Sequence, residues 1–479
     1  MAMSVDGLVS GLSTTDMVNQ LMQVEAMPQT ALKYKVSAQN KAVTAYQDIN
    51  TKLAALTTAA KALGSSDAWN AVKASSSSDA AIVTTTTSAT AGTFQFTVDK
   101  LATTHTVTYK DASVAALTAN VVTGNSITVL DTHGNPLPPV DVSGDRSLKG
   151  VVKAINDTAG AAYKASAVQI APGRYTLQLT AVGSGDAGKF LESSIPVGTI
   201  DGLGEPTATV DGHDAEITVG SGAGQYTIKS STNTFNDVAA GVTIAVTKET
   251  SGTPVTVSTV TDKAAITDKV QALVDAANAA LSQIKTTTAG KNGSTAAGAL
   301  AGDPTVRALS QEILSAVATG AGGSLGSLAA VGITVEKGGT IGFDKTKFET
   351  AYAADPTKAR QYFDDYTDVA HVNAHANAFD PGWDTANGIA RKLEAIGLKA
   401  TDGLVRPDNP TATREGLVTG LIKRRNETIA SLNDQVEAWD ARLTTRRASL
   451  QRQYSALEVA LGKLKDQQSW LGGQLAGLS

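Results

Sequence analysis

Apolar residues recur at every seventh position through the last part of the chain: Ile422, Ile429, Val436, Leu443, Leu450, Leu457, Leu464 and Leu471. A strict seven-residue period held this long predicts a helix that winds left-handedly on a partner helix, not an ordinary amphipathic surface helix. The second row of that seam is mixed (Arg425, Leu432, Trp439, Arg446, Gln453, Ala460, Gln467), so half of the interface depends on the polar partner it meets. At about 1.5 Å per residue, Ile422 to Leu471 spans about 75 Å, longer than a small domain is wide. Near the other end, Ser13, Thr14, Thr15 and Asp16 offer N-caps to a first helix, and Pro28 suits the start of a second. Leu32, Val36, Val43, Tyr46, Leu53 and Ala60 then form another heptad-like face that ends at Gly64. The simplest arrangement pairs the two ends antiparallel within one subunit as a coiled-coil leg and leaves the residues between them as a head.

Between the legs the period changes to two. Phe94, Phe96 and Val98 alternate with Thr93, Gln95 and Thr97, and Tyr175, Leu177 and Leu179 with Thr176, Gln178 and Thr180. Similar short runs recur from Gly92 to about Thr261, with one helix predicted from Leu148 to Thr158. This reads as two small β-rich domains joined near Ile195 to Gly204, where Gly and Pro crowd. Helical periodicity returns at Ile266 and again at Val306. A hairpin is predicted over Gly332 to Asp344, a further helical run over Asp344 to Phe363, and an exposed insertion over His371 to Trp383. The fold class expected is thus multidomain α+β: coiled-coil helices over 1–65 and 416–479, β-rich domains over 66–200 and 201–261, and a helical head over 262–415.

Composition narrows the chemistry. The chain has 479 residues, a net charge of −5 and only 5% aromatic residues, so its cores should be thin and built from many small contacts. The acidic balance gives no basic field for nucleic acid. There is no cysteine, which excludes disulfides and thiolate chemistry. No apolar stretch is long enough to span a membrane, and Met1 to Gly11 lacks the build of a secretory signal peptide, so by these signals alone the expected location is the cytoplasm.

Candidate catalytic patterns are weak. Gly183, Gly185 and Gly188 spell a dinucleotide-type glycine run but lack the following helix and acidic residue, so a turn is expected. Gly322, Ser324 and Gly326 match a nucleophile elbow yet follow a helix in a Gly-rich run. His371 and His375, near Asp364, Asp365 and Asp368, lack the Glu of a zinc-protease motif and are expected to be a surface pair. Asp131, Asp141 and Asp145 do not have calcium-loop spacing. The expectation is a chain with no cofactor, no metal and no enzymatic activity.

Several stretches carry a family resemblance. Val5 to Leu12 followed by Thr15-Asp16-Met17-Val18, Ala45 to Leu53, and Gly92 to Ala102 resemble the bacterial flagellar filament cap proteins, also called hook-associated protein 2. So do Ser147 to Asn156 with Ala165 to Ala167, Ser231 to Thr234 with Asp237-Val238 and Gly241 to Ile244, and Gly298 to Asp303 with Arg307. Gly332-Ile333-Thr334 with Asp344, and Gln453-Tyr454, Glu458 and Gln468 to Leu471 on the last leg, continue the similarity. The chain departs from the resemblance over Val107 to Asp145 and Asp364 to Ala386, and the family's usual aromatic before Asn278 is Ala277 here.

The resemblance implies a structural protein at the tip of the flagellar filament, outside the cell, which overrides the cytoplasmic reading. Its implied partners are itself, as a homo-oligomeric ring, the flagellin it holds and helps to insert, and the export chaperone and flagellar secretion apparatus through which it leaves without a cleaved signal peptide. No nucleic acid and no membrane insertion are implied. Leg helices that pair conditionally suit passage through a channel, because they can order on assembly. On this reading Leu32, Val36, Val43, Tyr46 and Leu53, with the Ile422 to Leu471 row, form the coiled-coil and oligomerisation seam. The rival expectations are another axial flagellar (junction) protein and a host-surface or mucin adhesin acting through the β-rich domains.

Overall fold

The structure, a computed structural model, describes residues 13–476 apart from 131–132, 134, 191–199, 201, 324, 372–373, 375–377, 407–408 and 414. The segment Val5 to Leu12, Asp131, Ser324, His375 and most of the expected domain join therefore lie outside the described residues. The chain divides into two compact units, Met1–Trp69 with Ile266–Ser479, and Asn70–Ala265.

The first unit begins with α1 (Thr14–Glu25) and α2 (Met27–Gly64). Ser13 Oγ accepts the Asp16 N–H and starts α1, while Pro28 in the first turn of α2 sits where no backbone donor is needed. The two halves of α2 have different surroundings. Up to Gln39 only one stripe is covered, whereas from Ala42 onward Tyr46, Ile49, Leu53, Leu56, Ala60 and Leu63 are fully buried. Much of the segment expected as leg is therefore the central helix of the helical head. Apolar spacing is the same in both halves and does not reveal which neighbour covers it.

The second unit holds β1 (Val72–Ser76), β2 (Ala81–Thr85), β3 (Gly92–Lys100), β4 (Thr106–Thr108), β5 (Ser126–Ile127), β6 (Val140–Asp141), α3 (Leu148–Asp157), β7 (Tyr163–Ala171), β8 (Arg174–Ala181), β9 (Thr207–Val210), β10 (Ala215–Val219), β11 (Tyr226–Ser230), β12 (Thr234–Ala239), β13 (Val242–Val246) and β14 (Val255–Thr261). A five-stranded antiparallel sheet runs β1-β14-β3-β10-β11, and β12-β13-β2 forms a second sheet over the same core. The register sets Phe96 opposite Val255 and Val219, so the alternating residues of β3, β10 and β14 share one inward face. A separate core gathers Val107, Ile127, Val140, Leu148, Ile155, Leu177 and Leu179 from the β7-β8-β4-β9 sheet, the β5-β6 pair and α3, with Leu203 from the turn before β9. The β block thus has two cores, but they are nested, not consecutive. Residues 72–101 close on 215–257 around the segment 107–203, whereas the expected division placed 66–200 before 201–261.

Returning to the first unit, α4 (Lys263–Thr288) and α5 (Pro304–Ala318) are followed by the hairpin β15 (Ile333–Val335) and β16 (Ile341–Phe343), then α6 (Lys345–Ala354) and α7 (Pro356–Asp364). Asp355-Pro356 splits the run expected as one helix, because the residue before a proline is pushed out of helical geometry; Asp355 then caps α7 through the Lys358 N–H. Asn278 of α4 makes two 2.8 Å hydrogen bonds with the backbone of Ile341, beside a fully buried Ala277. A short ladder, β17 (Tyr366–Thr367) with β18 (Thr385–Ala386), leads into α8 (Ile389–Ala400), and α9 runs from Leu417 to Ala476. At Gly397 a Cβ would stand 2.1 Å from Thr57 Oγ1, so only glycine lets α8 lie this close to α2.

Candidate functional site: the paired leg helices

Helix α9 lies antiparallel to α2 and α1, and a series of polar contacts fixes the register. Arg425 Nη1 donates to Gln39 Oε1 at 3.0 Å. Further out, the buried Gln29 amide donates to Asp440 and, at 3.3 Å, to the carbonyl of Val436. Arg446 pairs with Glu25 at 3.2 Å, and Arg447 Nη2 donates to Asn19 at 3.1 Å. Apolar rungs alternate with these: Val18, Met22 and Leu450 form a small core with Leu443 and Tyr454 packed on it. A polar residue held in such a seam selects one register at some cost in stability.

Of the expected seam, Ile422, Ile429, Val436 and Leu443 are half-buried and Leu450 is buried, while on α2 Leu32 and Val36 are half-buried and Val43, Tyr46 and Leu53 are buried. Leu457, Leu464 and Leu471 are 50%, 60% and 53% exposed. The continuous apolar row is therefore covered only as far as Leu450. Val18 and Met22 of α1 pack on Leu450 at that end of the covered row.

Where the leg meets the head, one carboxylate joins two helices. Asp303 caps α5 by accepting the Thr305 and Val306 N–H groups at 2.8 and 3.2 Å, and its other oxygen accepts the hydroxyl of Tyr46 on α2. Burial, then the Asp303 carboxylate, pushes the Tyr46 hydroxyl above its ordinary pKa, while Arg425 of α9 pulls the other way. At the far end of α2, Arg391 of α8 donates to the Gly64 carbonyl at 2.5 Å, to the Asp364 carbonyl at 3.3 Å and to Glu394 at 3.1 Å, and lies 4.9 Å from the Phe379 ring centre. Burial raises the pKa of Glu394 against the pull of Arg391, and that of Asp364 against Arg360. Gln29 and Arg391 carry no sequence signal of their own, and Asp303 enters only as the end of the family-like stretch Gly298 to Asp303. The Asp-Pro cap at 303 is readable, but its bond to a tyrosine 257 positions away is not.

The other candidates resolve into structural roles. Gly183 to Gly188 is a turn with Gly185 at φ 83°, and a Cβ on Gly188 would stand 2.2 Å from the Gly183 carbonyl oxygen. His371 is not at the surface as expected: its side chain is 4% exposed, 3.2 Å from Asp380 and stacked on Trp383 at 4.4 Å. Asp141 and Asp145 each accept the N–H two residues on, at 2.9 Å, as turn carboxylates do, and this holds both below the usual carboxylate range. Among the described residues, no group of three His, Asp or Glu side chains is placed to hold a metal ion.

A long paired leg, polar rungs that set its register and a head bolted to it by side-chain hydrogen bonds define a structural assembly protein. The family follows from comparison. The sequence model of the flagellar hook-associated protein 2 C-terminus matches residues 212–466 and that of its N-terminus residues 10–105, and the chain belongs to this family. It is 27% identical to the B-type flagellar hook-associated protein 2 of Pseudomonas aeruginosa, over 98% of this chain and 97% of that one. It is 25% identical to flagellar hook-associated protein 2 of Escherichia coli K12, over 98% and 97%. The crystal structure of the D1-D2-D3 domains of the Escherichia coli flagellar cap protein FliD shares the fold, with a TM-score of 0.52 at 20% identity, over 83% of this chain and 99% of that one. The two family matches leave 106–211 between them, the same stretch that forms the nested inner core.

Proposed function

We propose that the chain is a structural cap at the tip of the bacterial flagellar filament, working as a homo-oligomer outside the cell. It holds arriving flagellin at the tip and guides its insertion, and it reaches the tip through the flagellar secretion channel, carried by an export chaperone and without a cleaved leader. The observation that carries this is the C-terminal family match, which runs through the head into α9 to residue 466, the helix that pairs with α2. The leg contacts suit the task. Those of Arg446 and Arg447 are side-chain pairs at a partly exposed surface, each worth about 1 kcal/mol or less, so they can exchange as subunits are added. On this reading Ile422 to Leu450 is spent on the chain's own N-terminal helices, and contacts between copies fall to other faces.

The test uses Leu450, which is 7% exposed against Val18 and Met22. Replacing it with Asp in a strain whose own cap gene is deleted should abolish filament growth and spill flagellin into the medium. Secreted variant protein should keep the near-ultraviolet circular dichroism of its head. Filaments of normal length from Leu450→Asp would refute the leg as the working part.

A further inference from the structure

The outer half of the leg carries a second heptad row that its own partner does not touch. The residues that face α9 are Val18, Met22, Glu25, Gln29, Leu32 and Val36, all buried or half-buried. A different row, Val24, Met27, Ala31, Tyr34, Ala38 and Lys41, follows the same alternation of three and four residues, and every member is exposed, Tyr34 at 73%. Both rows run from α1 into α2 across the break at Ala26, and a second row of this spacing on a leg already paired along the first leaves a face open to a second partner. Between the two rows Lys33, Val36, Ser37, Asn40, Lys41 and Thr44 line a shallow groove of about 490 Å³.

The back of α9 complements it. Glu427, Ser431, Asp434, Ala438, Ala441 and Thr445 keep the three-four alternation and are exposed. Small residues there face outward where α2 offers Met27 and Tyr34, and acids stand where α2 offers lysines. Among the described residues, Lys33, Lys35 and Lys41 on one helix and Glu427, Asp434 and Glu437 on the other form no ion pair.

We propose that this row of α1 and α2 packs against the back of α9 in a second copy of the chain, leg beside leg. The proposal rests on the homo-oligomeric reading above and names the faces that meet. In a closed cyclic assembly, the rotation from one copy to the next adds no shift along the axis. Legs standing side by side then inherit the register seen within one leg, where Gln39 meets Arg425 and Glu25 meets Arg446. That register brings Lys41 level with Glu427, Tyr34 with Ser431 and Asp434, and Met27 with Ala441, within one helical turn. The contact is heterologous, each copy using one face as donor and the other as acceptor, which is the type that closes rings.

The test exploits the absence of native cysteine. The full-length chain carrying Lys41→Cys and Glu427→Cys is oxidised and run on a non-reducing gel, with its mass before oxidation taken by light scattering. The two positions lie on outward faces of their helices, so a disulfide joins only different copies. A ladder of covalent multimers, absent from either single-cysteine variant, is expected. In parallel, Lys41→Glu should lose multimer mass and Lys41→Glu with Glu427→Lys should regain it. Multimers by scattering with no ladder would overturn this interface and leave the capping reading standing. Monomer by scattering with no ladder would overturn the interface together with the oligomeric reading in solution.

Discussion

Helix α2 is one element with two environments, and the difference between its halves separates what folds this unit from what it works with. From Ala42 to Gly64 the helix is core: Tyr46, Ile49, Leu53, Leu56 and Leu63 have no exposed surface, and α8 lies close enough to need Gly397. From Met27 to Gln39 it has one covered stripe, with Leu32 and Val36 half-buried, and polar rungs at Gln29 and Gln39 interrupt the apolar ones. Full burial of a leucine is worth several times a partly exposed pair, so the inner half should hold the head folded whether or not the outer half is paired. A leg that pairs weakly on a head that folds strongly can be rearranged during assembly without unfolding the protein.

The largest effect expected from this contrast comes from matched truncations. Leu53→Ala should cost about 2–5 kcal/mol, as for other fully buried leucines, and should lower the melting temperature of the helical unit. Leu32→Ala, on the half-buried stripe, should cost about 1 kcal/mol and leave that transition in place while speeding amide exchange in the outer leg. Equal losses in the two variants, read by calorimetry, would mean that leg and head unfold as one and would erase the distinction.

How far the sequence foretold this follows the same line. The heptads of α9 are legible because a strict period of seven has few other uses, and the cap at Ser13 is legible because its chemistry is local. The division of α2 is not, since Leu32, Val36, Val43, Tyr46 and Leu53 keep one spacing from leg into head and the covering neighbour comes from residues several hundred positions away. The nested β cores are hidden for a related reason. Each strand shows its alternation of two, but nothing local says that β3 pairs with β10 and β14 across an inserted domain. The polar rungs are legible as residues and not as pairs: Arg425 and Arg446 break the α9 seam and Gln39 fills a polar step on α2, but nothing local joins Gln39 to Arg425 or Glu25 to Arg446.

A pH titration sharpens the contrast, because the two halves of α2 meet different charges. Around its inner end, burial raises Glu394 and Asp364 above their ordinary pKa values. A carboxylate whose folded pKa is raised holds its proton more tightly in the native state than in the unfolded chain. Its stabilising contribution is therefore full below the unfolded value, near pH 4, and is lost as pH rises through the raised value. Thermal stability of the helical unit should accordingly fall as pH climbs out of the acid range. Glu394→Gln should flatten that slope while keeping a hydrogen-bond acceptor for Arg391. An unchanged slope in Glu394→Gln would show that this carboxylate does not govern the inner half.

The smallest effect belongs to the outer half and to salt. Arg446 and Glu25 pair at 3.2 Å with side chains 48% and 40% exposed, so water and ions screen them and the pair should contribute about 1 kcal/mol or less. Arg446→Ala should leave the melting temperature of the head unchanged. Its effect should appear as faster amide exchange near Glu25 at low ionic strength, a difference that closes as salt approaches about 1 M, where the screening length falls to about 3 Å. Arg446 also has a long aliphatic stem, and a packing role for that stem would survive salt. A loss in Arg446→Ala that persists at high salt would therefore assign the residue to packing and make the outer leg more like the inner half of α2 than its exposure implies.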